Sequence, residues 1–264
     1  MSYILRQKAP SEFRNGFTIV EVTIVIVAAG LIFGLVFSFF WQYWQFAEKA
    51  QSDSDVLTER LDTSDYIREI VGTSSGLITQ NSIIDSNANV VDGTAGAGYW
   101  LTIHSVPQTT ATTSSDQPIL YFKRFSQNSS KAFIMNGTSP YEDQYVIYLS
   151  NNGELRVRTL KNTAATGNIL TTSCPPTVAT STCPADKVLI KNVESIGARY
   201  FSRSGNLIDY TPYYDSDAGV WVNGPDFPVV EVVEYTIKVS KAAFTQTTNT
   251  TQSETIIRIA LRNT

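Results

Sequence analysis

Three groups of residues in this chain have types and spacings that could do chemistry. The first is Asn15-Gly16-Phe17-Thr18-Ile19-Val20-Glu21, where Glu21 is the last charge before a long apolar run. No charged residue occurs from Val22 to Ala47. A carboxylate at the head of a segment that could enter lipid is costly, so it needs a partner and a purpose. The second group is Cys174 and Cys183, which bracket Pro-Pro-Thr-Val-Ala-Thr-Ser-Thr. In an oxidising compartment this pair reads as a disulfide closing a loop. A metal site would need more ligands, and the one histidine, His104, lies far off in sequence. The third group is Asp215-Ser-Asp-Ala-Gly, with Asp209 and Asp226 nearby. It has the composition of a calcium loop but lacks the glutamate that completes one, and it reads as a solvated acidic turn. The sequence has no Gly-x-Ser-x-Gly, phosphate-loop or metal-ligand motif, so the expectation is a non-enzyme with no cofactor and no metal.

The elements that position Glu21 follow from hydropathy. A membrane span needs about 20 mainly apolar residues, and residues 17–46 supply more than that. Arg6, Lys8 and Arg14 precede the run, which by the positive-inside tendency places the N-terminus in the cytoplasm and the remainder outside. Trp41, Tyr43 and Trp44 cluster at the far end, where aromatic rings suit the headgroup zone. A secretory signal would have a shorter apolar core and a small-residue cleavage site after it. Gly30 and Gly34 are the weak points of an otherwise strong helix. They serve close packing through a Gly-xxx-Gly pair, local melting on assembly, or neither. Thr23 can place its hydroxyl on the carbonyl one turn back.

Gly16 followed by Phe17-Thr18-Ile19-Val20-Glu21 and an apolar helix resembles the processing site of type IV pilins and pseudopilins. The resemblance implies that residues 1–16 are a prepilin leader, that a prepilin peptidase cuts after Gly16, and that Phe17 is N-methylated. It gives Glu21, with Thr18, a role in assembly: a neighbouring subunit's terminal amine pairs with the glutamate. It also implies partners in other pilin or pseudopilin subunits and an inner-membrane assembly platform. The chain has 264 residues, 42% of them hydrophobic and 17% charged, with a net charge of −4. Residues 1–16 carry a net +2, so the chain from Phe17 onward is near −6. An acidic exterior argues against a nucleic-acid partner, which needs a basic surface.

Past the span the helix continues. Val56, Leu57, Leu61, Ile67, Ile70 and Val71 recur at helical spacing, and Gly72 with Thr-Ser-Ser-Gly stops it. A helix over 17–71 would be about 80 Å long, membrane-spanning to about residue 46, with its second half presenting an apolar stripe to a sheet. Residues 72–264 then form an extracytoplasmic β-rich domain. Strands are expected at 99–103, 119–122, 187–190, 196–202, 229–240 and 255–261, with a hairpin over 144–160 turning at Asn151-Asn152-Gly153. Alternation of the kind seen at 255–262 favours antiparallel sheet. Polar, mobile surface loops are expected at 104–118, 126–139, 161–186 and 241–254. The expected class is α+β: a long N-terminal helix packed on an antiparallel sheet. The hairpin, the 187–201 segment, Trp221 and Pro228, and the strand at 229–239 occur in an order similar to J-type minor pseudopilins and related minor pilins. That likeness implies a tip complex that starts assembly. The competing expectation is a membrane-anchored binding module, adhesin-like, with no filament.

Overall fold

The computed structural model describes residues 18–88, 98–100, 109–111, 116–208, 213–215, 220–222, 230–243 and 246–261. The class is α+β, as expected: one long N-terminal helix and antiparallel sheets. Helix α1 spans Ile19–Gly72. Fourteen strands follow among the described residues: β1 (Gly76–Ile78), β2 (Thr109–Thr110), β3 (Gln117–Phe125), β4 (Met135–Asn136), β5 (Ser139–Pro140), β6 (Glu142–Leu149), β7 (Leu155–Leu160), β8 (Lys187–Ile190), β9 (Val193–Phe201), β10 (Leu207–Ile208), β11 (Tyr213–Asp215), β12 (Val220–Val222), β13 (Val232–Ala243) and β14 (Gln246–Ala260). The chain divides into two units, 1–50 and 51–264.

In the first unit the described chain is helix with apolar side chains on every side. Ile19, Ile26, Phe33, Phe40 and Trp44 are all exposed. The helix runs unbroken through Gly30 and Gly34, and a Cβ at either position would meet nothing within 4 Å. Thr23 donates its hydroxyl to the Ile19 carbonyl at 2.8 Å, as its place in an apolar helix requires. Among the described residues, α1 is the one helix long and apolar enough to cross a membrane.

In the second unit the remainder of α1 contributes one face to the core. Val56, Ile67, Ile70 and Val71 join one cluster with β3, β6, β7, β9, β13 and β14. The expected stripe is corrected at two positions. Leu57 and Leu61 are exposed, and Thr63 and Ser64 are buried in their place. Thr63 can be buried because its hydroxyl donates to the Leu189 carbonyl of β8 at 2.6 Å. On the other sheet, Arg60 donates to the Thr255 hydroxyl and to the Glu254 carbonyl. The Lys187 ammonium lies 3.3 Å from the centre of the Tyr66 ring. The helix therefore ties both sheets. It ends where expected: Thr73 returns its amide and its hydroxyl to the Glu69 carbonyl, satisfying the last turn.

The two main sheets differ in what covers them. The sheet β1-β3-β6-β7-β8 is antiparallel throughout, and β6 is buried on both faces from Asp143 to Leu149. The sheet β10-β9-β13-β14 keeps one wet face. Val233, Tyr235 and Ile237 point inward, and Glu234 faces Arg199 and Arg258 on the outside at 3.8 Å each. The hairpin β6–β7 turns at Gly153, whose φ of +77° is the conformation glycine takes most cheaply. A side chain there would also crowd the Val193 carbonyl at 3.3 Å.

Two expected loops are corrected. Residues 241–243 and 246–254 belong to the ends of β13 and β14, which pair continuously from Val232↔Ala260 to Ala242↔Thr250. The run Thr-Thr-Asn-Thr-Thr is polar, but threonine is β-branched and favours strand. Residues 161–186 are only in part a surface excursion: Ala165, Asn168, Ser173, Cys174 and Asp186 are buried, while 176–182 are exposed. Asn162 and Asn168 both donate to the Asp143 carboxylate, which fastens this segment to β6. Of the strand expected at 99–103, Trp100 is buried outside any strand, and 101–103 lie outside the described residues.

Candidate functional site

The head of α1 is a reciprocal cap. Thr18 donates its amide and its hydroxyl to Glu21 Oε2, both at 2.9 Å, and the Glu21 amide reaches the Thr18 hydroxyl oxygen at 3.3 Å. This is a capping box, with Thr18 at the N-cap and Glu21 three residues on. It satisfies backbone donors that a helix start otherwise leaves open. Both Thr18 bonds fall on Oε2, and Oε1 takes neither. Behind this head the next charge in sequence is Glu48. Gly16 and Phe17 lie outside the described residues. Trp41, Tyr43 and Trp44 are exposed at the other end of the apolar segment. Trp41 and Trp44 make ring contacts one turn back, with Phe37 and Phe40.

The Cys174–Cys183 disulfide is formed, with the Cα atoms 5.5 Å apart. By loop-closure entropy a ring of this size stabilises by about 2–3 kcal/mol. The disulfide also sets a local geometry. Cys174 pairs with the chain returning from Cys183: its amide donates to Pro184, and its carbonyl accepts from the Asp186 amide, each at 2.8 Å. That exchange delivers the Asp186 side chain to the second polar centre of the molecule.

This centre lies wholly inside the second unit. Arg158 on β7 sits between two carboxylates, 2.9 Å from Asp85 Oδ2 and 2.7 Å from Asp186 Oδ1. Only the first contact has hydrogen-bond alignment; the second is a close ion pair. Trp100 donates its indole N–H to Asp85 at 2.8 Å, while Tyr148 and Ser173 donate their hydroxyls to Asp186 at 2.5 and 2.6 Å. The Arg158 guanidinium also lies over the Trp100 ring, 5.4 Å from its centre. All three charged residues are at most 3% exposed. A site so enclosed has no face for a substrate. Its chemistry is to hold separate chain segments together, as a buried polar network does. Sequence reasoning missed it, because Asp85, Trp100, Arg158 and Asp186 share no motif.

Burial has a second effect here. It is the main cause pushing the Tyr148 phenol well above its usual range, with the Asp186 acceptor adding to it. Burial likewise pushes Tyr145 up from 10.0 to about 12, against a smaller opposing pull from Arg124. The folded state therefore favours neutral phenols. Their contribution is complete below pH 10 and is lost as pH rises toward 12. The denaturant midpoint should hold steady from neutral pH to about 10 and fall above it, in step with tyrosinate absorbance. A midpoint indifferent to pH in that window would contradict the burial of these rings.

Among the described residues, no group of three or more His, Cys, Asp or Glu side chains could hold a metal ion. His104, Asp209, Asp226 and the turn after Asp215 lie outside the described residues. No protein-family model matches the chain, and comparison with curated proteins finds no match.

Proposed function

We propose that this chain is a minor pilin or pseudopilin, a structural subunit that helps start a type IV pilus or type II secretion filament. The observation that carries the reading is the helix head. The sequence Gly16-Phe17 is followed at once by a capped helix start in which Glu21 closes back on Thr18. Cleavage after Gly16 leaves one residue ahead of that cap, Phe17, with a positively charged amine. Within the membrane edge a carboxylate and an amine attract strongly, because the dielectric there is low. Glu21 Oε1, which takes neither Thr18 bond, is the oxygen that a neighbour's amine would meet. That pairing sets the stagger between subunits, and the apolar surface of 19–46 supplies the remaining association energy. The prepilin peptidase, the assembly platform and sister subunits are the partners this reading requires. The basic leader gives the orientation: N-terminus inside, β-rich domain outside.

Mass spectrometry of the protein isolated from its host membrane tests this directly. The expected chain starts at Phe17 and carries one N-methyl group. An intact N-terminus at Met1 would overturn the reading and favour an anchored binding module instead.

A further inference from the structure

The disulfide stands behind both carboxylates of the buried Arg158 centre. Asp186 is held from the two ends of the Cys174–Cys183 loop. Ser173, next to Cys174, donates its hydroxyl to Asp186 Oδ1 at 2.6 Å, and the Asp186 amide donates to the Cys174 carbonyl at 2.8 Å. Asp85 is reached through Asn87, from a distant part of the chain. The Asn87 side-chain amide donates to Cys174 Sγ at 3.3 Å, and its backbone amide donates to Asp85 Oδ1 at 2.9 Å. The Ala88 amide closes the same turn on the Asp85 carbonyl at 3.0 Å. Asp85 Oδ2 is left for Arg158 and for the Trp100 indole. The two sulfurs differ in access. Cys174 is 5% exposed, whereas Cys183 is half-buried at the end of the exposed run 176–182.

We propose that the Cys174–Cys183 disulfide is a redox-controlled lock on the Arg158 centre, supporting Asp85 and Asp186 at once. A dithiol is the class of reductant that opens it. One thiolate attacks the Cys183 sulfur, forming a mixed disulfide and releasing the Cys174 thiolate. The second thiol then displaces the Cys183 thiolate, so the dithiol ends as a disulfide and two electrons and two protons pass to the cysteines. A disulfide that only closes its own loop acts through the unfolded chain and leaves the folded centre as it was. Here the sulfur and the chain around it are part of the folded network, so reduction slackens both arms and the centre loses its fixed geometry. The packing of the domain thereby depends on its compartment: it is slack among dithiols and locked where the disulfide persists. The proposal goes beyond the filament reading and does not rest on it, since neither Gly16 nor Glu21 takes part.

The test uses the full chain in neutral detergent micelles, oxidised and then reduced with dithiothreitol, with thiol alkylation confirming each state. Amide hydrogen exchange is read by mass spectrometry. Reduction should speed exchange about tenfold or more at Asn87 and Ala88 as well as within 172–186, while β13 and β14 stay protected. Asn87→Ala cuts the arm to Asp85 and leaves the disulfide in place. It should keep the response within 172–186 and lose the reduction-dependent change at 85–88. Denaturant unfolding gives a second readout. Reduction should lower the folded-to-unfolded ratio about tenfold more in the parent than in the Arg158→Met, Asp85→Asn, Asp186→Asn chain, which lacks the charges that the lock supports. Loop closure alone predicts equal loss in the two chains. Equal loss overturns the proposal. So does an exchange response confined to 172–186, or one that rises equally across β13 and β14. These outcomes are independent of the N-terminal mass, so either reading can fail alone.

Discussion

Replacing Arg158 with alanine should remove a substantial part of the β-rich domain's stability. The substitution removes the one cation between Asp85 and Asp186 and leaves two carboxylates inside the protein without it. Breaking a buried pair in this way costs about 3–5 kcal/mol, more than the pair itself contributes. Against a typical domain stability of about 5–15 kcal/mol, that is between about a fifth and all of the total. Near-ultraviolet circular dichroism is a suitable probe, because Trp100 packs tilted against Tyr148, ring centres 5.1 Å apart, beside the guanidinium and should lose its fixed environment. The loss has a sign that identifies it. If stranded charge is the cause, Asp85→Asn with Asp186→Asn in the Arg158→Met background should recover part of the stability. A triple variant no better than Arg158→Ala would mean that shape, not charge, is what the cluster contributes. An Arg158→Ala midpoint unchanged from the parent would contradict the buried network altogether.

The legible and illegible parts of this fold separate along a physical line. Local signals were sufficient where the determinant is local. Gly72 and its neighbours ended α1, Asn151-Asn152-Gly153 made a turn with Gly153 at positive φ, and 187–190 is a strand with the expected bounds. The apolar run gave a helix competent to cross a membrane. Periodicity was insufficient where two answers share the same period. Leu57 and Leu61 fit a 3.6-residue repeat, yet they sit on the side away from the core, and Thr63 is inside because Leu189 offers its hydroxyl a carbonyl. Polarity misled where a polar side chain finds a partner distant in sequence. Arg158 reads as the wet half of an alternating strand, but Asp85 and Asp186 arrive 73 residues before it and 28 after it. Residues 161–186 look like loop by composition and are fixed by Asp143, the disulfide and Ser173. At the helix head the family resemblance implied an assembly role for Glu21 with Thr18. It did not supply the bond between them, which only the cap geometry reveals.

That bond makes the second large-effect prediction sharper than a simple loss of charge. Under the filament reading, Glu21→Ala should be cleaved at Gly16 and retained in the membrane, yet fail to enter filaments. On its own this result has two explanations, because alanine removes both the charge and the acceptor that Thr18 uses. Glu21→Gln separates them. Glutamine serves the same capping position but offers no charge to a neighbour's amine. If pairing with that amine is what assembly needs, the glutamine chain should fail as completely as the alanine chain. Thr18→Val provides the converse. It removes the hydroxyl from the cap, at about 1 kcal/mol of helix-start stability, and leaves the carboxylate in place, so incorporation should fall only modestly. The measurement is the ratio of subunit in sheared filaments to subunit in membranes, with the N-terminal mass of each variant confirming cleavage. Full incorporation of Glu21→Gln would reduce Glu21 to a helix cap and remove the charge pairing from the mechanism. Normal incorporation of Glu21→Ala would remove Glu21 from assembly entirely.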